Sequence, residues 1–456
     1  MSIDFSRIKK GGRIHFVGIG GISMSALASI LIKKGYAVSG SDFKKSPLTD
    51  ALVADGAKIF IGHNEKNAEG ADALIYSAAI GPDNPERRYA DEHNIPSAER
   101  SALLGEIEKM YKYPIDISGT HGKTSTTGML AHIFTASESD PTVLIGGELS
   151  LIGSNKRVGS SEYFISEACE YHRSFLNFHP YIGIILDVEA DHLDYYKDLD
   201  DIKGAFSDFA DIVSGKVIVN ADDKNAMDAV KHTKTPVITV SRRSENADYY
   251  AKDITPNSFG EYSFKVYKKG GLLAPVSLSV PGIHHVSNAL CAFAAASELG
   301  LDSEKIAKGL HSFTGVKRRF ELKADKNGIR VYDDYAHHPT EIKATLDALA
   351  AISANEKYIV FQPHTYTRTL TLFDDFVSVL KEAPHLVLLD IYAAREKDSG
   401  LVKSADLAAK IPGSYMAKDF DDAKNYLKNR VKPGDIVMTV GAGDVYKVGE
   451  KLIKEL

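Results

Sequence analysis

Residues 117–126 read ISGTHGKTST, and these residue types can hold a phosphate chain. A glycine-rich turn between a strand and a helix exposes backbone N–H groups and the positive end of the helix dipole. Gly119, Thr120, His121, Gly122, Lys123, Thr124 and Ser125 would form that turn. Lys123 offers a point charge for the outer phosphates, and the Thr124 hydroxyl a ligand for Mg2+. The usual spacing G-x-x-x-x-G-K-[ST] puts a glycine at 117, where this chain has Ile117. Spacing alone leaves two readings open, a shortened ATP loop or a βα turn with a solvated lysine. The strand pattern YPIDIS before it and the helical TTGMLAHIF after it favour the loop.

A second turn, Gly18-Ile19-Gly20-Gly21-Ile22-Ser23, also lies between strand and helix, and Asp42 ends the next strand. It resembles a dinucleotide fingerprint in which the third glycine is Ser23. It fits a diphosphate better than it specifies NAD, and a tight turn without ligand has the same sequence. Acidic groups come next. Glu167 ends the strand YFISEAC, and Glu189, Asp191, His192 and Asp194 follow YIGIILDV. Ligands of open α/β sheets bind beyond the carboxyl ends of strands. Glu167 and His192 are therefore placed to share a divalent ion with ATP phosphates.

The last third holds VYDDYAHHPTE, with Asp333, Asp334, His337 and His338, and VFQPHTYTRT, with His364 and Arg368. Arg368 suits a carboxylate, which a guanidinium grips with two parallel hydrogen bonds. Arg318 and Arg319, in FTGVKRRFE, could stabilise a transferring phosphate. His338 and His364 are the candidates for taking a proton from an attacking amine.

These groups need a scaffold that brings strand ends together. Short apolar runs alternate with amphipathic stretches, which means βα units and parallel sheets. The chain has 456 residues, 44% hydrophobic and 25% charged, enough for about three domains. The expected limits are 1–108, 109–314 and 315–456. A net charge of −6 without a basic stretch argues against nucleic acid as partner. Two cysteines, Cys169 and Cys291, make no disulfide framework and fit a reducing cytoplasm. Neither a signal peptide nor a membrane-spanning run is expected.

Seven segments in order, GTHGKTST, EACEYHRSFL, VEADHLDYY, PGIHHVSNAL, VKRRFE, DDYAHHPTE and QPHTYTRT, resemble the Mur ligases of peptidoglycan synthesis. The resemblance covers essentially the whole chain. It implies a Rossmann-like N-terminal domain for UDP-N-acetylmuramate, a central P-loop ATPase-type α/β domain and a Rossmann-like C-terminal domain for the amino acid. It implies that the turn with Gly18, Gly20, Gly21, Ser23 and Asp42 holds UDP diphosphate, and that Thr124, Glu167 and His192 hold Mg2+. Asn288 would lie near adenine, with Arg319 and Asp334 also serving ATP. His337, His338, His364 and Arg368 would line the region for L-alanine and the muramyl carboxylate. The implied reaction is ATP-driven acyl-phosphate formation followed by amine attack, in a monomer or homodimer.

Three positions depart from the family pattern. The carbamoylated lysine of related branches falls on Phe206, which suits the alanine-adding branch. A His-Asn pair is His284-His285 here, and Thr365 stands where that branch often has arginine. A ligase attaching a whole tripeptide shares these motifs. A nicotinamide-dependent dehydrogenase or a non-catalytic nucleotide-binding module are rivals of other kinds.

Overall fold

A computed structural model describes residues 8–77, 79–193, 195–394, 396–398 and 400–456. They form two compact units, Met1–Tyr250 with Leu290–Gly309, and Ala251–Ala289 with Leu310–Leu456. Among the described residues no helix is long and apolar enough to cross a membrane.

The first unit opens with β1 (Arg13–Val17), β2 (Ala37–Asp42), β3 (Lys58–Ile61), β4 (Ala73–Tyr76) and β5 (Ser97–Glu99). They make a parallel sheet in the order β3-β2-β1-β4-β5. The strand order reverses on either side of β1, so the turn after β1 sits at the switch point where such sheets bind ligands. The helix Ile22–Lys33 buries every residue from Met24 to Leu31 and stops where Gly35 takes a φ of +90°.

A second sheet follows: β6 (Tyr113–Ser118), β7 (Thr142–Leu149), β8 (Ser154–Arg157), β9 (Tyr163–Glu167), β10 (Ile182–Ile185), β11 (Lys216–Asn220), β12 (Val237–Ser241) and β13 (Tyr249–Pro256). Here β6 is central, paired in parallel with β9 on one side and β10 on the other. One apolar core joins the two sheets, running from Ile14 and Leu27 through Leu103, Ile107 and Phe175 to Phe206. Phe206 packs edge-on against Phe175, so the position of the absent lysine is part of that core.

The second unit contains an antiparallel hairpin, β14 (Glu261–Lys268) and β15 (Gly271–Pro281). The unit's main sheet has six strands, β16 (Glu321–Lys326), β17 (Ile329–Asp334), β18 (Lys357–Phe361), β19 (Leu386–Leu388), β20 (Tyr415–Met416) and β21 (Ile436–Val440), in the order β16-β17-β21-β18-β19-β20. Only the edge strand β16 is antiparallel to its neighbour.

One buried pair under β6 makes a testable demand on pH. Asp116 of β6 and Glu108, at the end of the helix Arg100–Glu108, are both sealed from solvent. Ser166 Oγ donates to Asp116 Oδ1 at 2.6 Å, and His179 N donates to Glu108 Oε2 at 2.7 Å. The other oxygen of each, Asp116 Oδ2 and Glu108 Oε1, has no further partner among the described residues, which suits one shared proton. Burial raises Asp116 to about 7 and, with the Asp116 charge added, pushes Glu108 well up. The folded chain thus holds more protons than the unfolded one from the ordinary carboxylate range up to about 7. Stability should fall as pH rises through that window. Asp116→Asn removes the charge and supplies an N–H to Glu108. It is expected to raise the melting temperature by a few degrees at pH 8 and to change it little at pH 5. Equal shifts at both pH values would show that the pair shares no proton.

Candidate active site

The turn of residues 119–122 follows the end of β6. Ser118 Oγ donates to Ile184 O at 2.7 Å, tying the strand end to β10. Gly119 has a φ of +141°, and a Cβ there would lie 2.9 Å from Leu186 Cβ, so only glycine fits. The N–H groups of Thr120 and His121 donate to Asp187 O at 3.1 Å and Asp187 Oδ1 at 2.7 Å. Burial raises Asp187 to about 6, opposed by His121. Gly122 caps the helix Lys123–Ala136 with a φ of +80°, and Thr124 and Ser125 lie buried in its first turn. The strand and the helix expected on either side of this turn are both present.

Lys123 Nζ folds back over this turn. It donates to Gly119 O, to Thr120 O at 3.1 Å and to both oxygens of Glu170, at 3.3 and 3.1 Å. Burial alone would lower this ammonium, but Glu170, Cys169 and Glu167 outweigh it and hold it above its ordinary value. Glu170 is the functional candidate that motif reading missed. Its signal was present, a second carboxylate three residues after Glu167 in SEACE, but the nucleotide-loop motif names no such residue.

His192 lies on the same carboxylate, with Nε2 3.9 Å from Glu170 Oε1, and its ring rests against Tyr171. Its φ is +55°, a conformation non-glycine residues rarely hold without a reason. Glu167, at the end of β9, accepts from Gly146 N at 2.5 Å. Thr124, Glu167, Glu170 and His192 together offer hydroxyl, carboxylate and imidazole donors around three neighbouring strand ends. That oxygen-rich set fits a hard divalent cation that also shares phosphate ligands. Asp194 lies outside the described residues.

A cavity of about 190 Å3 joins this region to the first sheet. Its walls include Ser23 and Leu27, Arg100, and Gly146, Glu167 and Cys169. Lys156 holds the two layers together, donating to Ser25 O at 3.2 Å and Ser29 Oγ at 2.6 Å. The first turn is rigid in its own right. Gly18 and Ile19 donate to Ser41 O, Gly21 donates to Gly18 O, and Gly20 N donates to Asp42 Oδ2 at 2.9 Å. A Cβ on Gly20 would meet Asp42 Oδ2 at 2.7 Å. Asp42 therefore shapes the turn, where the dinucleotide fingerprint would have it bind ribose.

In the second unit, the two hinge arginines have different duties. Arg318 is pinned, with Nε on Asp333 at 2.9 Å and Nη2 on Gly441 O at 2.7 Å. Among the described residues Arg319 makes a long contact to Glu341, 3.7 Å, and rests over Tyr335, which leaves its head less tightly held than that of Arg318. The backbone turns sharply here, with φ of +61° at Arg318 and +48° at Phe320. Asp334 accepts from Phe320 N at 3.0 Å and Ala336 N at 2.7 Å, and burial raises it to about 6. Asn288 is buried in the helix His284–Glu298, and His285 is buried beside it.

His337 and His338 precede the helix Pro339–Ala350, and Glu341 accepts from both of their N–H groups. His337 and His364 face each other at 5.7 Å, and His364 stacks on Tyr392. Arg368 Nη1 donates to His364 Nδ1 at 3.1 Å. Burial first, then His337 and Arg368, lowers His364 to about 4. Its Nδ1 lone pair is already taken, so the neutral ring presents Nε2–H. In this arrangement His364 braces Arg368 through Nδ1. Thr365 between them has a φ of +66°, a strained conformation for a β-branched residue, fixed by Thr365 N donating to Tyr392 O.

Three family models match successive parts of the chain. They are Mur ligase family, catalytic domain, over 13–112; Mur ligase middle domain, over 117–296; and Mur ligase, glutamate ligase domain, over 318–443. The UDP-N-acetylmuramate–L-alanine ligase of Clostridium acetobutylicum is 50% identical over 449 residues, covering 97% of this chain and 98% of its own. That of Clostridium tetani is 49% identical over 460 residues, covering all of both chains. Among solved structures, the UDP-N-acetylmuramate–alanine ligase of Thermotoga maritima aligns at a TM-score of 0.79 with 28% identity, over 97% of this chain and 98% of its own. A murein peptide ligase from Psychrobacter arcticus aligns at 0.70 with 26% identity and the same coverage.

Proposed function

The chain belongs to the Mur ligase family, and on that premise we propose that it joins L-alanine to the lactyl carboxylate of UDP-N-acetylmuramate at the expense of ATP, in peptidoglycan precursor synthesis. The observation that carries this reading is the full-length identity near 50% to ligases of that name, combined with an intact phosphate cradle at Gly119–Ser125. The domain limits 1–108, 109–314 and 315–456 belong to the same reading and follow the three matched segments.

The chemistry runs in two steps. A lactyl carboxylate oxygen forms a bond to the γ-phosphorus of ATP as the bond to ADP breaks, giving an acyl phosphate. The alanine amine then attacks the acyl carbon, phosphate leaves with its bonding pair, and the amine proton passes to a base. Phosphoryl transfer of this kind needs positioning and charge compensation more than covalent help from the protein. The amides at the start of the helix Lys123–Ala136 would receive phosphate oxygens, and Lys123 would move from the carbonyls of Gly119 and Thr120 onto the outer phosphates. Thr124, Glu167 and His192 would hold Mg2+, with Glu170 beside them; the ion, when bound, offsets charge on the phosphate oxygens. Asn288, Arg319 and Asp334 are assigned to ATP, and His337, His338, His364 and Arg368 to alanine and the muramyl carboxylate. The turn with Gly18, Gly20, Gly21 and Ser23 would take the UDP diphosphate, and the cavity between Ser23 and Glu167 lies on the way from it to the ATP cradle.

The acceptor is tested by giving the enzyme ATP and UDP-N-acetylmuramate with L-alanine, serine, glycine or the whole tripeptide, and identifying the product by mass. Alanine should give the highest kcat/KM. A product formed only with the tripeptide would assign the chain to the peptide-recycling branch instead.

A further inference from the structure

A second cleft in the first unit lies between the later turns of the helix Ile22–Lys33 and the strand β8. Its volume is about 450 Å3, ample for a small molecule. Lys33, Lys156 and Arg157 line it against a single carboxylate, Asp55, and Leu151 and Val158 supply an apolar wall. The cations are poorly compensated. Lys156 is half-buried, yet it spends two of its hydrogens on uncharged oxygens, Ser25 O at 3.2 Å and Ser29 Oγ at 2.6 Å. Ser29 gives its own hydrogen to Asp55 Oδ2 at 3.3 Å, so that carboxylate reaches Lys156 only through a hydroxyl. Burial lowers the Lys156 ammonium below its ordinary value; Asp55 opposes this and Lys33 adds to it. Among the described residues neither Lys33 nor Lys156 forms an ion pair. Arg157 gives Nη2 to Asp140 Oδ1 at 2.5 Å, but its Nε is buried with no partner among the described residues. Partly buried cations without an anion cost stability, and this set, with its surplus of two positive charges over Asp55, suits a dianion.

The same helix and the same strand also wall the cavity beside Glu167. Ser23 and Leu27 of the helix and Asn155 of β8 line that cavity, while Ser29, Lys33 and Lys156 line the cleft. Lys156 connects the two. It holds Ser25 O, near the start of the helix and two residues after Ser23. A dianion in the cleft competes with neutral acceptors for this ammonium. Hydrogen bonds between ionised partners are about twice as strong as neutral ones, so the dianion wins. Lys156 then leaves Ser25, and the tie between helix and strand beside the substrate cavity loosens.

We propose that this cleft is an effector site for a small molecule that carries a phosphate dianion on an apolar body, and that its occupancy weakens the binding of the UDP-sugar in the neighbouring cavity. Lys33, Lys156 and Arg157 Nε receive the phosphate oxygens, and the apolar body lies along Leu151 and Val158. The coupling, though not the binding, rests on the assignment of UDP-N-acetylmuramate to the first unit. By linkage the effect is reciprocal: the UDP-sugar weakens the effector by the same factor.

Phenyl phosphate and phenyl sulfate are alike in shape and differ by one charge at about pH 8, and they serve as probes. The full-length chain is first saturated with UDP-N-acetylmuramate and a non-hydrolysable ATP analogue, which fill the other phosphate sites, and then titrated calorimetrically. Phenyl phosphate should bind at least about tenfold tighter than phenyl sulfate. Lys33→Glu, at an exposed position, should weaken phenyl phosphate about tenfold and leave the basal rate unchanged. In steady state, phenyl phosphate should raise KM for UDP-N-acetylmuramate about fivefold to a plateau, with kcat unchanged. Simple competition at the Gly18 turn has no plateau and survives Lys33→Glu. Absence of binding, equal affinity for the two probes, or affinity unchanged in Lys33→Glu overturns the site. Binding that leaves KM unmoved overturns the coupling. A chain that binds no UDP-N-acetylmuramate overturns the UDP-sugar reading, and the Lys33→Glu comparison still decides the cleft.

Discussion

Lys123→Ala is expected to lower phosphate release that depends on both UDP-N-acetylmuramate and alanine by about 10^3-fold. Lys123 places an ammonium at the turn, held there by the carbonyls of Gly119 and Thr120. In-line transfer spreads charge over the phosphate oxygens, and a group in place before the reaction compensates it without reorganising. Lys123 is also the first residue of its helix, where alanine is well tolerated, so the loss should appear in kcat and not in the circular dichroism spectrum. The variant leaves Glu170 buried without its cation, so a lower melting temperature is expected beside the lost activity. Activity within a few-fold of wild type would show that the loop is a βα turn with a merely structural lysine.

Glu170→Gln should produce the second-largest loss, about 10^2-fold in kcat, together with a shift in metal dependence. Glutamine keeps an oxygen for the Lys123 ammonium but drops the charge. Two groups lose by this: Lys123, which Glu170 holds charged against the effect of burial, and His192, 3.9 Å from the same carboxylate. A divalent ion near Thr124 and His192 then feels one negative charge fewer. Magnesium for half-maximal rate should rise about tenfold, and excess magnesium should restore part of the rate. A fall in kcat with unchanged metal dependence would reduce Glu170 to a packing partner of Tyr196, whose hydroxyl donates to Glu170 O.

The sequence carried the parallel-sheet architecture through its apolar runs, because strands buried on both faces, such as YPIDIS and IGII, leave little choice of environment. It also carried the turn between β6 and the helix Lys123–Ala136, since Gly119 and Gly122 have conformations that glycine adopts freely. The hairpin of β14 and β15 was legible as strand, because alternation along it reveals one buried face. Glu170 and Asp187 escaped for a related reason: each is made functional by a neighbour distant in the chain, Lys123 at 47 residues and His121 at 66. The surroundings of His364 were not legible either: residue type suggests a base, and the Arg368 hydrogen bond and burial that act on the ring come from the fold. The two arginines at 318 and 319 look interchangeable in sequence; only the contacts to Asp333 and Gly441 separate the fixed one from the less tightly held one.

The central claim is that this cradle delivers the γ-phosphate of ATP to a carboxylate and not to water. The direct test labels both lactyl carboxylate oxygens of UDP-N-acetylmuramate with 18O, runs a single turnover with ATP and L-alanine, and reads the released phosphate by mass or by 31P shift. The account predicts one 18O in each inorganic phosphate, carried there when the acyl phosphate is broken by the amine. Unlabelled phosphate, or label found in AMP, would contradict it.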